Sequence, residues 1–333
     1  MNILSKQLLY KPQTPTVETY EAYYINNGTM TLLGDVTDLS KTFAPQDEFI
    51  YSNVFVFDGD LYTNGSRTTT GRNITSVTGR TTDSNYYGYF IENGALYKLD
   101  TPSFPISSNT NFIKVCGYGS VAALWSRTYS GFIDASDGLY QVYATSYSQI
   151  STLTGWTKIT GYGHNNNTSY YGYGIHNGAL YYLYANGNGV VQQGTDTTWT
   201  DITGSYENGS WYGYGINDGK LYALSGTPTQ IGSDTNWTKV SGTASSSAYA
   251  LGINGGKLYR ISGTTATQLG SATDWLDCSG FATSGYYGLA IASDGLYTVS
   301  NSGGRTRISS LTDWVYVGGT TGSNAYAVAI RRK

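Results

Sequence analysis

A tight-turn dipeptide recurs along this chain at nearly even spacing. It appears as Asn27-Gly28, Asp58-Gly59, Asn93-Gly94, Asp137-Gly138, Asn177-Gly178, Asp218-Gly219, Gly255-Gly256 and Asp294-Gly295, with successive turns 31 to 44 residues apart. Asn-Gly and Asp-Gly tolerate the positive φ angles of a type I′ turn, whose twist matches that of paired strands, so each dipeptide predicts a short hairpin. A chain of 333 residues would ordinarily suggest two domains, but a closed array of such units can absorb the whole length.

The flanks of the turns repeat as well. Before them run strand-like segments such as YYGYGI (170–175), WYGYGI (211–216) and AYALGI (248–253), and after seven of the eight comes Leu-Tyr, with Met30-Thr31 in the first. Trp156, Trp199, Trp237, Trp275 and Trp314 each open a W-x-x-[IVC]-x-G segment, Phe112 and Ile74 hold the same slot, and Phe43 reads as a weaker relic of it. A fourth short strand lies before the next Trp, clearest in TPTQIGSDTNW (227–237) and TATQLGSATDW (265–275). Four short strands per unit without helical periodicity predict an all-β fold, a β-propeller of four-stranded blades.

The chain stops at AYAVAIRRK, where the next turn should come, so the C-terminal piece is half a blade. Pairing of residues 314–330 with the N-terminal hairpin near Tyr23 to Leu32 would close the ring and hide its sheet edges. Seven blades is the favoured count, eight if the N-terminal hairpin joins the ring. The expected division is an N-terminal arm and divergent hairpin over 1–50, serving attachment or ring closure, and a propeller over 51–333. The arm holds Pro12, Pro15 and Pro45, three of the six prolines, which suits an extended docking segment.

Charged residues are 12% of the chain, with 33 Tyr and 43 Gly, against a typical charged share of about 25%. A net charge of -3 with 19 Lys+Arg, and no basic stripe, argues against nucleic acid as a partner. No run approaches the length of a membrane span, and the start lacks the apolar centre of a secretory signal. No membrane insertion is expected.

Catalysis needs a positioned titratable group, and the two histidines, His164 and His176, lack evident partners. His176 reads as a solvent-facing turn residue and His164 as a loop residue able to meet a ligand. Asp58, Asp137, Asp218 and Asp294 recur with the turns and are explained by turn geometry. Cys278 takes a core slot, while Cys116 lies four repeats away, too far for a mutual disulfide. No catalytic residue, cofactor site or metal site is expected.

The best-formed unit, LYALSGTPTQIGSDTNWTKVSG followed by AYALGINGGKLY, resembles the repeats of the regulator of chromosome condensation family in their short bacterial and phage form. The features that carry it are the turn Gly before Leu-Tyr, Pro-x-Gln-Ile-Gly at Pro228 to Gly232 and the Asp234 to Trp237 spacing. The resemblance covers residues 53 to 330 and implies a rigid interaction platform, and in some relatives a nucleotide-exchange factor for a small GTPase. Shorter repeats and sparse loop charge depart from the latter. SDTNW also echoes the sialidase Asp-box, without its glycine or spacing.

The connections between the Trp strand and the aromatic strand vary most between units: SVAALWSRTYS, YGHNNNTSYY, SYENGSWYG, TASSSAY, FATSGYY and TTGSNAY. All should emerge on one face, making Trp125, Tyr129, His164, Asn166, Tyr170, Tyr206, Asn208 and Trp211 the candidate ligand or partner face. Flat aromatics with amide neighbours suit sugars and protein interfaces. The expected function is non-enzymatic. The chain reads as a bacteriophage virion component on a tail, baseplate or capsid, assembled in the host cytoplasm and binding other virion proteins or a host glycan or receptor, with the arm able to join copies of the chain. The alternatives are a bacterial carbohydrate-binding or adhesive propeller and an intracellular partner-binding propeller of the exchange-factor kind.

Overall fold

The computed structural model describes residues 18–26, 28–44, 54–63, 65–82, 85–100, 102–117, 130–163, 170–184, 189–207, 210–242, 249–282, 287–300, 304–320 and 326–333. Among them the chain forms eight antiparallel blades around a ring. Blade four is typical: Trp156–Gly163, Tyr170–His176, Ala179–Tyr184 and Gly189–Gln192 pair in sequence order. In blades one and two an isolated bridge stands in for one strand, at Phe43 and Pro105.

The eighth blade is shared between the two ends of the chain. Trp314–Thr320 and Tyr326–Arg332 supply its first two strands, and Tyr20–Asn26 and Thr29–Val36 the last two. Tyr20 lies opposite Arg332, and Asn26 opposite Tyr326. The ring therefore has eight blades and not the favoured seven, because the hairpin that lacks Leu-Tyr is nevertheless a blade component. In spatial order this blade is regular; only the covalent break falls between its second and third strands.

Each motif has a packing role. The Leu of every Leu-Tyr pair is at most 1% exposed. From blade three to blade seven the Tyr, on the opposite side of its strand, meets the anchor of its own blade, as in Trp156–Tyr181 at 5.3 Å, Trp199–Tyr222 at 5.2 Å and Trp237–Tyr259 at 4.9 Å between ring centroids. Eight buried clusters lie between neighbouring blades. One joins Tyr89 and Ile91 of blade two to Phe112, Val115 and Ile133 of blade three, and another joins Ala22, Tyr24 and Ile330 of blade eight to Phe55 of blade one.

The turns add a backbone link. The N–H groups of Trp199, Trp237 and Trp275 donate to the carbonyls of Gly178, Gly219 and Gly256 in the preceding blade, each at 2.9 Å. Gly178 has φ +75°, and a Cβ there would sit 2.1 Å from the Thr197 carbonyl oxygen. Gly178→Ala should therefore cost about 2 kcal/mol in chemical denaturation, from left-handed strain plus a displaced inter-blade contact. Gly194→Ala, at φ +70° with nothing near its Cβ, should cost about half as much.

Three local expectations change. The turns of blades three and seven are Ser136-Asp137 and Ser293-Asp294, with Gly138 and Gly295 already in strands. Neither Asp shares the positive φ of 47° to 52° found at Asp58, Asn93, Asn177, Asp218 and Gly255. Phe43 pairs with Val56 as Lys158 pairs with Ile175, so it sits two positions beyond the Trp slot. His176 is the last residue of its strand and packs against Trp156 at 5.3 Å and Tyr181 at 6.0 Å, a partly buried aromatic neighbour and not a solvent-facing turn residue.

Candidate functional site

The first strand of each blade lines the central channel. After the anchor a bulge displaces one residue, as between Trp156 and Lys158 or Trp275 and Asp277, and leaves Ile113, Leu276 and Val315 exposed. The next position, two beyond the anchor, forms a ring around the channel: Phe43, Ser76, Lys114, Lys158, Asp201, Lys239, Asp277 and Tyr316.

These side chains stitch blade to blade. Ser76 Oγ, Asp201 Oδ2 and Asp277 Oδ2 accept the backbone N–H groups of Val115, Val240 and Val317 on the next blade, at 3.0, 2.8 and 3.1 Å. Tyr316 Oη donates to the Ala44 carbonyl (2.9 Å) and accepts the Ala44 N–H (3.1 Å), repeating the link across the closure. Lys158 pairs with Asp201 at 2.7 Å and Lys239 with Asp277 at 3.2 Å. Burial opposes the Lys239 charge, but Asp277, Cys278 and Asp201 outweigh it and hold the ammonium above its usual range. Two positions further on, Thr160 and Ser279 hydroxyls donate to the carbonyls of Gly204 and Gly319, at 2.9 and 2.8 Å.

Blade three breaks this pattern. Lys114 pairs across the sheet with Asp134, where the other seven blades place Ile or Val. Asp134 is 3% exposed, and its Oδ1 is buried with no hydrogen-bond partner. Burial pushes its carboxyl up to about 6, against the opposing pull of Lys114 and the Trp156 N–H. Cys116 stands where the neighbouring blades have Thr78 and Thr160. Cys116 and Cys278 form no disulfide with each other.

Beside this blade the channel widens into a recess of about 430 Å³, lined by residues of blades eight, one, two, three and four, including Tyr316, Phe43, Thr75, Lys114, Thr157 and Lys158. Its lining among the described residues holds two lysines and no carboxylate. No group of three metal-ligating side chains occurs among the described residues.

The variable connections expected to form a rim face follow the first strands in the chain. Tyr170 begins a strand, and Tyr206 and Trp211 are backbone partners at the end of another hairpin. Trp125, Tyr129, His164, Asn166 and Asn208 lie outside the described residues, as do the side chains of Tyr170, Tyr206 and Trp211. The channel ring was missed by sequence reasoning, although its signal was present: Lys or Asp two residues after the Trp in WTKI, WTDI, WTKV and WLDC.

No family model matches the chain, and no curated protein is similar to it in sequence. Solved structures of similar shape include YCF48 from Cyanidioschyzon merolae, at TM-score 0.49 and 10% identity over 93% of this chain and 98% of that one. The GH74 enzyme of Niastella koreensis has TM-score 0.49 and 13% identity over 83% and 47%. PorZ, a surface component of the type-IX secretion system of Porphyromonas gingivalis, has 0.46 and 10% over 80% and 38%. The chain thus spans less than half the length of the last two. At such identities the likeness concerns the fold alone, and these relatives include both an enzyme and a surface component.

Proposed function

We propose that the chain is a non-enzymatic binding propeller borne on a bacteriophage particle, as a tail, baseplate or capsid appendage that engages a host glycan or receptor. One observation carries the reading: repeated polar positions hold blade to blade, whereas sequence variation concentrates in the connections between the first and second strands. Repetition marks scaffold, and unequal loops on a rigid scaffold are where recognition is placed. The resemblance of the repeats to the regulator of chromosome condensation family belongs to the same reading of a platform. A low-charge chain rich in Tyr, Gly, Ser and Thr suits an exposed appendage.

The test is mass spectrometry of purified virions together with host-adsorption assays. The protein should copurify with particles, and Trp125→Ala combined with Trp211→Ala should lower adsorption roughly tenfold with unfolding unchanged. Removing residues 1–17, which precede the ring-closing strand, should abolish incorporation if the arm is the attachment. Absence from virions would refute the virion assignment. Glycan-array binding without particle association would favour the carbohydrate-binding propeller, to which the Trp, Tyr and Asn content of the same connections also points.

A further inference from the structure

The channel recess is where the repeat departs most from itself. In the ring of side chains two beyond the anchors, Lys158 and Lys239 each face an aspartate within ion-pair distance. Lys114 has no carboxylate that close among the described residues; its Nζ donates to the Thr157 carbonyl at 3.3 Å. An ammonium has three donors, so two remain to serve a ligand. Thr75 and Thr157 are exposed on either side of it and line the same recess.

The charge of the recess runs against that of the chain. The net charge is -3, yet the described lining carries lysines and no carboxylate. A cavity of about 430 Å³ falls in the range of roughly 300–1,000 Å³ that holds small molecules. Half-enclosed by low-dielectric blades, an ammonium there attracts an anion more strongly than one on an open surface.

We propose that the channel wall of blade three is a binding site for the oxyanion group of a small molecule, with Lys114 as counter-ion and the Thr75 and Thr157 hydroxyls as flanking donors. The site is independent of the rim and does not rest on the virion reading. Phosphate and carboxylate groups share the chemistry it needs, namely compact negative charge with several acceptor oxygens. Asp134, beneath Lys114 on the paired strand, is the nearby negative group against which a bound anion competes.

The experiment is calorimetric titration of the full chain with inorganic phosphate and, separately, with citrate, at low salt and about pH 8. Saturable binding with Kd of about 1 mM or tighter is expected for at least one. Phosphate preference would indicate a phosphorylated ligand, and citrate preference a carboxylated one. Lys114→Gln should weaken it roughly tenfold, and Lys257→Gln, at a remote hairpin turn, should leave it unchanged. Asp134→Asn should tighten it roughly threefold by removing the competing charge, a readout that stands even if Lys114→Gln fails to fold. The proposal is overturned by the absence of saturable binding to either anion, by equal affinity in Lys114→Gln, or by Asp134→Asn binding no more tightly than wild type.

Discussion

A chain lacking residues 1–36 should lose its cooperative unfolding transition and aggregate on expression. The segment removed contains the third and fourth strands of blade eight, and its first strand serves two interfaces at once. Ile25, fully buried, packs with Leu289, Ile291 and Trp314 toward blade seven. Ala22 and Tyr24, on the opposite side of the same strand, pack with Phe55 of blade one. Without them Tyr326–Arg332 becomes an open edge with unpaired backbone groups, and both neighbouring interfaces are stripped of apolar cover. A single change tests the same point: Ile25→Asp places a charge in a sealed core and should cost about 4 kcal/mol. A cooperative transition in the truncated chain near the wild-type temperature would refute the closure argument.

Rescue is the stronger half of that test. Tyr20 faces Arg332, and the Lys333 N–H donates to the Thr19 carbonyl at 2.9 Å, so the two chain ends meet where other blades have their tight turn. Residues 18–36 moved to follow Lys333 through a short turn linker should restore the transition, because the eighth blade then becomes an ordinary four-strand hairpin unit. The closure lowers the penalty of the open ring by joining segments some 300 residues apart, a contact whose loop-closure entropy grows only slowly with length.

The blades were legible because hairpin turns, Leu-Tyr pairs and Trp anchors are local signals with fixed offsets, each set by a contact inside one unit or with the next. The blade count was not, because the closing hairpin carries Met30-Thr31 where Leu-Tyr should stand, and its partner strand lies at the other end of the chain. The half-unit at the C-terminus did point to pairing with the N-terminal hairpin, and Tyr326–Arg332 does pair with Tyr20–Asn26; whether that hairpin counts as part of a blade was what its missing Leu-Tyr left open. Asp134 was hidden differently. In IDASDG it reads as part of an acidic turn, and only the actual register, with Ser136-Asp137 as the turn, moves it into the slot of an isoleucine. The Lys and Asp two residues after the anchors become ion pairs only because the ring brings consecutive repeats side by side. Of the rim residues, Tyr170, Tyr206 and Trp211 can be placed on strands, and the other five lie outside the described residues.

Replacing Asp134 with isoleucine should make the protein more stable at neutral pH, by about 3 kcal/mol in denaturant unfolding. A carboxyl raised from 3.8 to about 6 in the fold is worth that much once it is ionised in both states. The sign follows from proton binding: between about pH 4 and pH 6 the folded chain holds the proton and the unfolded chain has released it, so stability falls as pH rises through this window and stays low above it. Isoleucine removes the buried charge and the unpartnered Oδ1, and restores the side chain found at this slot in six of the other blades, where the seventh has valine. Asp134→Asn separates the two contributions, since an isosteric amide abolishes the pH term while keeping a polar group in the slot. The gain from isoleucine should therefore be largest near pH 8 and shrink toward pH 4, with the asparagine variant flat across the same range. A destabilised isoleucine variant, or a wild-type stability that rises between pH 4 and 6 by the amount Asp134 should subtract, would mean that the carboxylate is held by contacts stronger than the Lys114 charge and the Trp156 N–H.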